Sequence, residues 1–544
     1  MLRTVEISEI DMCTRTGSLA STFVRAPAET KHGVSNFDPD TALEWIKDCQ
    51  SFHTECPHHN HYQLPTRVLD VSNYKSNNVR LLVTSGSDHQ PYAALSYCWG
   101  TSKPLMTTSS SLNSRQEGID ITAMPKTYQD AIWVAGTLDI KYLWIDALCI
   151  VQDSGDDKIA ELSRMRLYFE NANIVIAASS AINADDGFLR FHTCQDTPRA
   201  ATTNPHDSGI PQTANVPFYS PRGEKGTILL DASPEIYQAN REPINQRAWT
   251  LEERLLCPRV LVFPSTGGFF LQCNREERHN DTIHFGTSSA RSRLFSLSEA
   301  MWGQQGTEFK DVHKSWLMHI KDYSERNLTN AWDKPIAIAG VAEAYHHRFQ
   351  SELGDYLAGH WSKYLLESLF WRVPLWEQKP APTPARPPSW SWISVDSLIQ
   401  IEPTVFYPQP YNNLAEIQDV AVTKVTERLP FGAVQTGSLS VKGPIGKAVW
   451  TLSERRVSLE TVHGQPLDRV GTYMDTVENY PSQPTTVFVL PLRRACRNPV
   501  LLGLLLQPVA SSDHSLFRRI GCFEFGPADW FLETYTEEKL VRII

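Results

Sequence analysis

The segment from Pro91 to Ser179 constrains the fold more than any other part of the chain. PYAALSYCWG (91–100) is an apolar run that ends at a glycine, YLWIDALCI (142–150) is a second, and NIVIAAS (173–179) is a third. Runs of this length bounded by turn residues read as buried strands. Between the first two, MPKTYQDAIWVAGTLDIK places Ala131, Val134, Ala135 and Leu138 at helical spacing. Between the second and third, the acidic turn DSGDD precedes a helix carrying Glu161, Met165, Tyr168 and Ala172. Strand, helix, strand, helix, strand predicts an α/β fold with a parallel, helix-covered sheet. Ligands of such sheets collect at the carboxyl ends of the strands, so the loops after Tyr97, Cys149 and Ser179 are the first candidates for a site.

At 544 residues the chain exceeds one ordinary core, and two or three packed units are expected. Residues 1–90 form an N-terminal extension with short strands such as RVLDV and VRLLV, and 91–275 hold the α/β core. Residues 276–376 read as helical, from WLMHIKDYSERNLTNAWDKPIAIAGVAEAYHHRF with a break at Pro335. EQKPAPTPARPP, residues 377–388, is a proline-rich bridge expected to be extended. Residues 389–544 carry short alternating segments such as SLSVKG, TVFVLPL and LLGLLLQ, which predict an antiparallel β region.

The formal net charge of -10 argues against nucleic acid as a partner, because phosphate binding needs a positive surface. Ten cysteines lie scattered without a dense framework, and the N-terminus lacks the apolar segment of a signal peptide, so a reducing cytoplasmic setting is expected. No apolar run approaches the length of a membrane span.

Phosphate loops of the GxxxxGK type, GxGxxG after a strand, and GxSxG are all absent. The remaining candidates are polar residues inside apolar strands and carboxylates at their ends. Asp146 falls within an otherwise apolar run, and a buried charge needs a partner or a task. It could anchor neighbouring loop amides or bind a ligand. Trp99 could stack on a base or ring, or fill the core. In RAWTLEERLL, Trp249 and Glu253 stand four apart and share a helix face. An indole beside a carboxylate suits a site that cleaves a bond to a cationic ring, and a plain ion pair with Arg247, Arg254 or Arg259 competes with that reading. In CQSFHTECPHHNH, Cys49 and His53 would share a helix face with Cys56 close by, together with His58, His59 and His61. This could make a zinc site, although the spacing is not a standard finger pattern, or simply a helix end with half-buried thiols.

YAALSYCWG, MPKTYQDAI, YLWIDALCIVQD, NIVIAA, GFL and RAWTLEERLLCPRVLVF resemble, in order, the heterokaryon incompatibility (HET) domain of filamentous fungi. YSERNLT, AWDKPIAIAGVA, YLAGHW and RPPSWSWISV are similar to the C-terminal region of many such proteins, so the resemblance runs from about Trp45 to the end. Departures are Lys158, Val151 and Glu252, the last in place of the usual glutamine before Glu253. The resemblance implies a role in fungal non-self recognition, innate immunity and programmed cell death. The HET domain is in turn distantly similar to Toll/interleukin-1 receptor (TIR) domains, which implies a flavodoxin-like parallel sheet. Some TIR domains hydrolyse NAD with a glutamate four residues after a tryptophan, an order that Trp249 and Glu253 fit.

That resemblance implies Glu253 as the catalytic carboxylate, with Glu161 as second choice. It implies substrate binding by Ser96, Trp99, Gly100, Asp146 and Trp249. NAD would be the substrate and no cofactor would be required, and the resemblance adds nothing for zinc at Cys49, His53 and Cys56. The competing expectation is a non-enzymatic module that self-associates or recruits protein partners in death signalling.

Overall fold

The structure is a computed structural model, and it describes residues 11–15, 28–29, 37–57, 63–101, 103–189, 213–220, 222–231, 236–279, 284–285, 310–401, 411–453, 456–464, 471–480, 482–496, 500–510, 513, 515–526 and 529–544. His58, His59 and His61 lie outside them. The chain divides into two compact units. One is drawn from residues 1–161, 167–246 and 253–298, the other from 162–166, 247–252 and 299–544.

The first unit is built on a nine-stranded sheet. Its strands in chain order are β1 (Arg67–Asp70), β2 (Asn78–Val83), β3 (Tyr92–Ser96), β4 (Ile119–Asp120), β5 (Tyr142–Trp144), β6 (Ile174–Ala177), β7 (Arg259–Val262), β8 (Phe270–Cys273) and β9 (Glu277–His279). Across the sheet they run β9-β8-β7-β6-β3-β5-β1-β2-β4. The neighbours β5, β3, β6 and β7 are mutually parallel, as the three apolar runs predict. All other pairings are antiparallel, so the sheet is mixed rather than wholly parallel. The added strands include β1 and β2 from the N-terminal extension, with β1 pairing onto β5 through Leu69 and Asp70 and β2 pairing onto β1.

Numbered along the chain, the four parallel strands stand in the order 2-1-3-4. The chain leaves β3 in one direction to form β5 and then crosses back over β3 to form β6. Such a reversal, here between β3 and β6, is the place where open α/β sheets bind ligands beyond the carboxyl ends of their strands. All residues of β3, β6 and β7 are buried, and apart from Ser96 and Arg259 these strands are apolar.

Helix α1 (Pro39–Phe52) starts where Asp38 accepts hydrogen bonds from the Asp40 amide at 3.1 Å and the Thr41 hydroxyl at 2.6 Å, with Pro39 preset for the first turn. It sits against the β7–β8 end of the sheet, with the Trp45 ring 5.3 Å from Phe269 and Phe37 5.0 Å from the same ring. Helix α2 (Lys126–Thr137) links β3 to β5 and buries Ala131, Val134 and Ala135 at the expected spacing. The strand expected over 142–150 ends at Trp144, and Asp146 opens the short helix α3 (Asp146–Cys149) instead. Its carboxylate accepts from the Ala147 amide at 2.6 Å, the local bond with which an aspartate competes against a strand ladder. The helix expected after DSGDD is two, α4 (Gly155–Leu162) and α5 (Met165–Glu170). Helix α6 (Trp249–Leu255) precedes β7.

The second unit contains α7 (Lys310–Glu325) and α8 (Ala339–Leu353) on either side of Pro335, followed by the C-terminal β region. Its strands are β10 (Tyr411–Asn413), β11 (Glu416–Lys424), β12 (Val434–Ser453), β13 (Arg456–Thr461), β14 (Gly471–Met474), β15 (Thr485–Ala495), β16 (Leu501–Pro508), β17 (Leu516–Phe525) and β18 (Thr536–Ile543). They are antiparallel, apart from a brief parallel pairing of β17 with β18. Strand β12 pairs with β18 over Leu439–Gly446 and with β15 over Gly446–Trp450, so β15, β16, β17, β18 and β12 close into a ring. Closure removes free edges among these five strands. Its turning point falls at Gly443-Pro444-Ile445-Gly446, where a Cβ on Gly446 would meet the Tyr535 carbonyl at 2.6 Å.

Residues 377–388 lie within this unit. Gln378 donates to the Met474 carbonyl at 2.7 Å, and the Ala381 amide donates to Glu478 at 2.9 Å. Arg386 is buried and paired with Asp396. SWSWISV forms a buried turn carrying Trp390 and Trp392 rather than a first strand.

Candidate functional site

The residues at the switch point come from the carboxyl ends of the parallel strands. Strand β3 delivers Ser96, Tyr97, Cys98 and Trp99 before the chain turns at Gly100, whose φ of +83° is a left-handed conformation that only glycine adopts without strain. A Cβ there would also collide with the Asn183 side chain from the loop after β6. Gly100→Ala should therefore lower stability by about 1–2 kcal/mol, read as a lower denaturant midpoint.

The indole Nε1 of Trp99 donates to Asp146 Oδ2 at 2.8 Å, which ties the β3 loop to the start of α3. Asp146 is half-buried and holds both this bond and that from its neighbour's amide. Below it, the Tyr97 and Tyr128 hydroxyls meet at 2.7 Å. Burial, and secondarily the Asp146 charge, push both phenols well above their ordinary range, so they remain neutral donors.

Ser96, Trp99, Gly100 and Asp146 thus stand on one edge of the sheet. Ser96 is fully buried and its hydroxyl has no hydrogen-bond partner among the described residues. The same holds for Ser179, and Ser180 beside it is 6% exposed and likewise unpartnered. These hydroxyls cluster at the ends of β3 and β6, where unmet polar groups favour a ligand or ordered water. Sequence reasoning marked the loop after Ser179 but not the serines themselves, whose only signal is their place directly after NIVIAA.

Trp249 lies elsewhere. It lines a cavity of about 320 Å³ with Glu252, Arg166, Glu343, Arg428 and Phe431, among others. Glu252 is 2% exposed and accepts the Gly340 amide of α8 at 3.3 Å. Gly340 is needed there because a Cβ would run into the Glu252 carboxylate. Arg166 and Glu343 pair at 3.2 Å. Of the two adjacent carboxylates on this helix, the one that lines the cavity with Trp249 is therefore Glu252, three residues on, whereas Glu253 is half-buried on the next position of the helix. Of the residues expected together, the cavity wall contains Trp249 but not Ser96, Trp99, Gly100 or Asp146.

Glu161 belongs to a buried polar network. It accepts the Tyr168 hydroxyl at 2.9 Å and lies 3.6 Å from Arg67, which also donates to the Cys149 carbonyl at 2.5 Å and to Asp157 at 2.6 Å. Burial raises its carboxyl above the ordinary range. This arrangement fastens α4 to β1 through Arg67 and leaves Glu161 engaged by protein groups.

Cys49, His53 and Cys56 do converge, and Cys273 at the end of β8 joins them. One ligand atom from each of the four lies within 4.8 Å of the others. Cys273 was out of reach of sequence reasoning because only the fold brings β8 to α1. Its thiol is held well below its ordinary range by hydrogen bonds from Cys49 and Cys56 and by the amides of Glu276 and Arg275.

Residues 92–253 match the family model described as heterokaryon incompatibility protein (HET), a match that supports a role in heterokaryon incompatibility. No curated protein matches, and no solved structure matches. Among the described residues, no helix is long and apolar enough to cross a membrane.

Proposed function

We propose, on the premise that residues 92–253 are a heterokaryon incompatibility domain, that the chain is an effector of fungal non-self recognition that triggers cell death by hydrolysing NAD. The observation that carries this reading is the switch point between β3 and β6, with the Trp99 indole bound to Asp146 at its mouth. The 2-1-3-4 order of the parallel strands is the beginning of the 2-1-3-4-5 order of flavodoxin-like sheets, which hold their nucleotide at this position. The resemblance to TIR domains supplies the chemistry.

In that chemistry the bond from ribose C1′ to the pyridinium nitrogen breaks and its electron pair leaves with nicotinamide. Water then adds to C1′ and a proton passes to solvent, giving ADP-ribose. Nicotinamide is already a good leaving group, so the protein must chiefly stabilise positive charge on the ribose and exclude bulk water. The resemblance to TIR domains, and not a contact with Trp99, assigns Glu253 to that charge. Trp99 offers a ring face for the base or nicotinamide, Asp146 holds the indole in place, and Gly100 lets the backbone approach the phosphates.

A second reading is favoured by one observation. Trp249 and Glu252 are occupied in packing against α8, with Glu252 bonded to Gly340, as expected of a helix that serves as a strut. On that reading the domain kills without chemistry, by assembling with itself or with partners in death signalling.

The test expresses wild type and Glu253→Gln in hyphae and follows cellular NAD together with viability. Loss of an electrostatic catalytic group costs about 10²–10³ in rate. NAD consumption should fall by that factor and killing should disappear. Killing that persists while NAD stays intact would overturn the enzymatic reading in favour of assembly.

A further inference from the structure

We propose that Cys49, His53, Cys56 and Cys273 hold a structural Zn²⁺ ion that fastens α1 to the antiparallel edge of the first unit's sheet. Cys49 lies in the last turn of α1, His53 caps its C-terminus, Cys56 follows in the next turn, and Cys273 ends β8. Cys49, His53 and Cys56 are buried, and Cys273 is half-buried. His53 Nδ1 is 3.3 Å from Cys273 Sγ and 3.9 Å from Cys56 Sγ. A tetrahedral zinc site with arms of about 2.3 Å to sulfur and about 2.0 Å to nitrogen spaces its ligand atoms by roughly 3.5–3.8 Å. The cluster needs only small side-chain shifts to reach that spacing.

The surroundings fit an ion better than they fit three thiols. His53 Nε2 lies 3.2 Å from Glu276 Oε1, so the ring donates its Nε2 proton to a carboxylate and turns the Nδ1 lone pair toward the sulfurs. This is the arrangement that orients and strengthens a metal-binding histidine. Arg259 is fully buried, yet among the described residues it has no carboxylate partner. Its Nε instead donates to Cys49 Sγ at 3.2 Å and its Nη2 to the Pro57 carbonyl at 3.0 Å. A buried guanidinium demands an anion nearby. Three thiolates and a neutral imidazole around Zn²⁺ carry a net charge of minus one, which Arg259 offsets.

A disulfide would consume two of the three sulfurs and strand the third, and all three are free thiols here. Three sulfurs with one nitrogen select a soft, tetrahedral ion. Four protein ligands leave no open position, so the site is structural rather than catalytic. It is independent of any chemistry at the carboxyl edge.

The test is metal analysis of the full chain, produced without added metal and purified without chelator. About one zinc per chain is expected, with Cys273→Ser losing it and Cys496→Ser, an exposed thiol outside the cluster, retaining it. Should the Cys273 variant fail to fold, the wild type still decides. Blocking its thiols with a mercurial reagent in the presence of a chromogenic chelator should release that zinc. Cobalt substitution should give the intense visible bands and sulfur charge-transfer absorption of a tetrahedral thiolate site. Folded wild-type protein that binds no zinc, either as purified or after zinc is added, would overturn the proposal, as would a stoichiometric metal of another kind.

Discussion

Acidification from pH 6.5 to about 5 should unfold the second unit while the same change leaves an ordinary domain intact. His313, His319 and His360 are buried there and pushed by burial down to about 3 from 6.5. His313 stacks on Tyr364 at 4.1 Å, His319 Nδ1 meets the Tyr345 hydroxyl at 3.0 Å, and His360 Nδ1 meets the Ser368 hydroxyl at 2.8 Å. Each is held neutral in the fold but free to take a proton once unfolded. Between pH 6.5 and 3 the unfolded chain therefore binds more protons, and stability falls as pH falls. Each histidine contributes about 1.4 kcal/mol per pH unit, so three contribute about 4 kcal/mol per unit. By pH 5 the loss is about 6 kcal/mol, comparable to the whole stability of many domains. Hydrogen exchange across this pH range, read by mass spectrometry, should show protection collapsing first in 310–370. Replacing His313 with phenylalanine should remove about a third of the slope. A flat stability profile down to pH 4.5 would contradict the argument.

Replacing Arg519 with methionine should cost about 3–5 kcal/mol, because it strands a buried carboxylate. Arg519 is 1% exposed and Asp475 4%. The two are joined by two bonds, Nε to Oδ2 at 3.0 Å and Nη2 to Oδ1 at 3.1 Å. The guanidinium also donates to the Leu369 and Trp371 carbonyls at 2.6 Å each and lies 3.4 Å from the centre of the Trp371 ring. Burial alone would favour a protonated Asp475, and its carboxyl is indeed raised despite the arginine. Removing the arginine leaves that carboxylate unpaired and loses the two carbonyl bonds and the ring contact with it. The double variant Arg519→Met with Asp475→Leu should recover much of the loss, because the unpaired charge is then gone. A denaturant midpoint in the double variant as low as in the single would show that the carbonyl contacts, and not the charge pair, hold this part of the unit.

The parallel core was legible because strands buried on both faces announce themselves as unbroken apolar runs, as in NIVIAA. The antiparallel additions were not, since nothing local says that Leu69 pairs with Leu143. Asp146 was misplaced within a strand because its neighbours are apolar, whereas a bond to the next amide turns the chain there. The edge residues Ser96, Trp99, Gly100 and Asp146 came from knowing where ligands sit on a parallel sheet. Helical spacing paired Trp249 with Glu253, but which carboxylate accompanies the indole in a cavity depends on a distant glycine, Gly340, that lets Glu252 in. The same limit hid Cys273, for spacing within one helix can propose Cys49 and His53 but not a sulfur from β8. Ring closure by β12 was beyond reach for a similar reason, because a strand that serves two neighbours reads as one long strand.

We propose that the chain hydrolyses NAD, with Glu253 as the carboxylate that the resemblance to TIR domains assigns. The most direct test of this proposal is chromatographic quantification of nicotinamide after NAD is incubated with purified full-length protein, wild type beside Glu253→Gln and Asp146→Asn, at dilute and crowded concentrations. Release by wild type is expected, with a fall of about 10²–10³ in Glu253→Gln and a smaller fall in Asp146→Asn, which loosens Trp99 without removing the catalytic carboxylate. No release at any concentration from protein shown to be folded would contradict the proposal and leave Glu253 a helix charge.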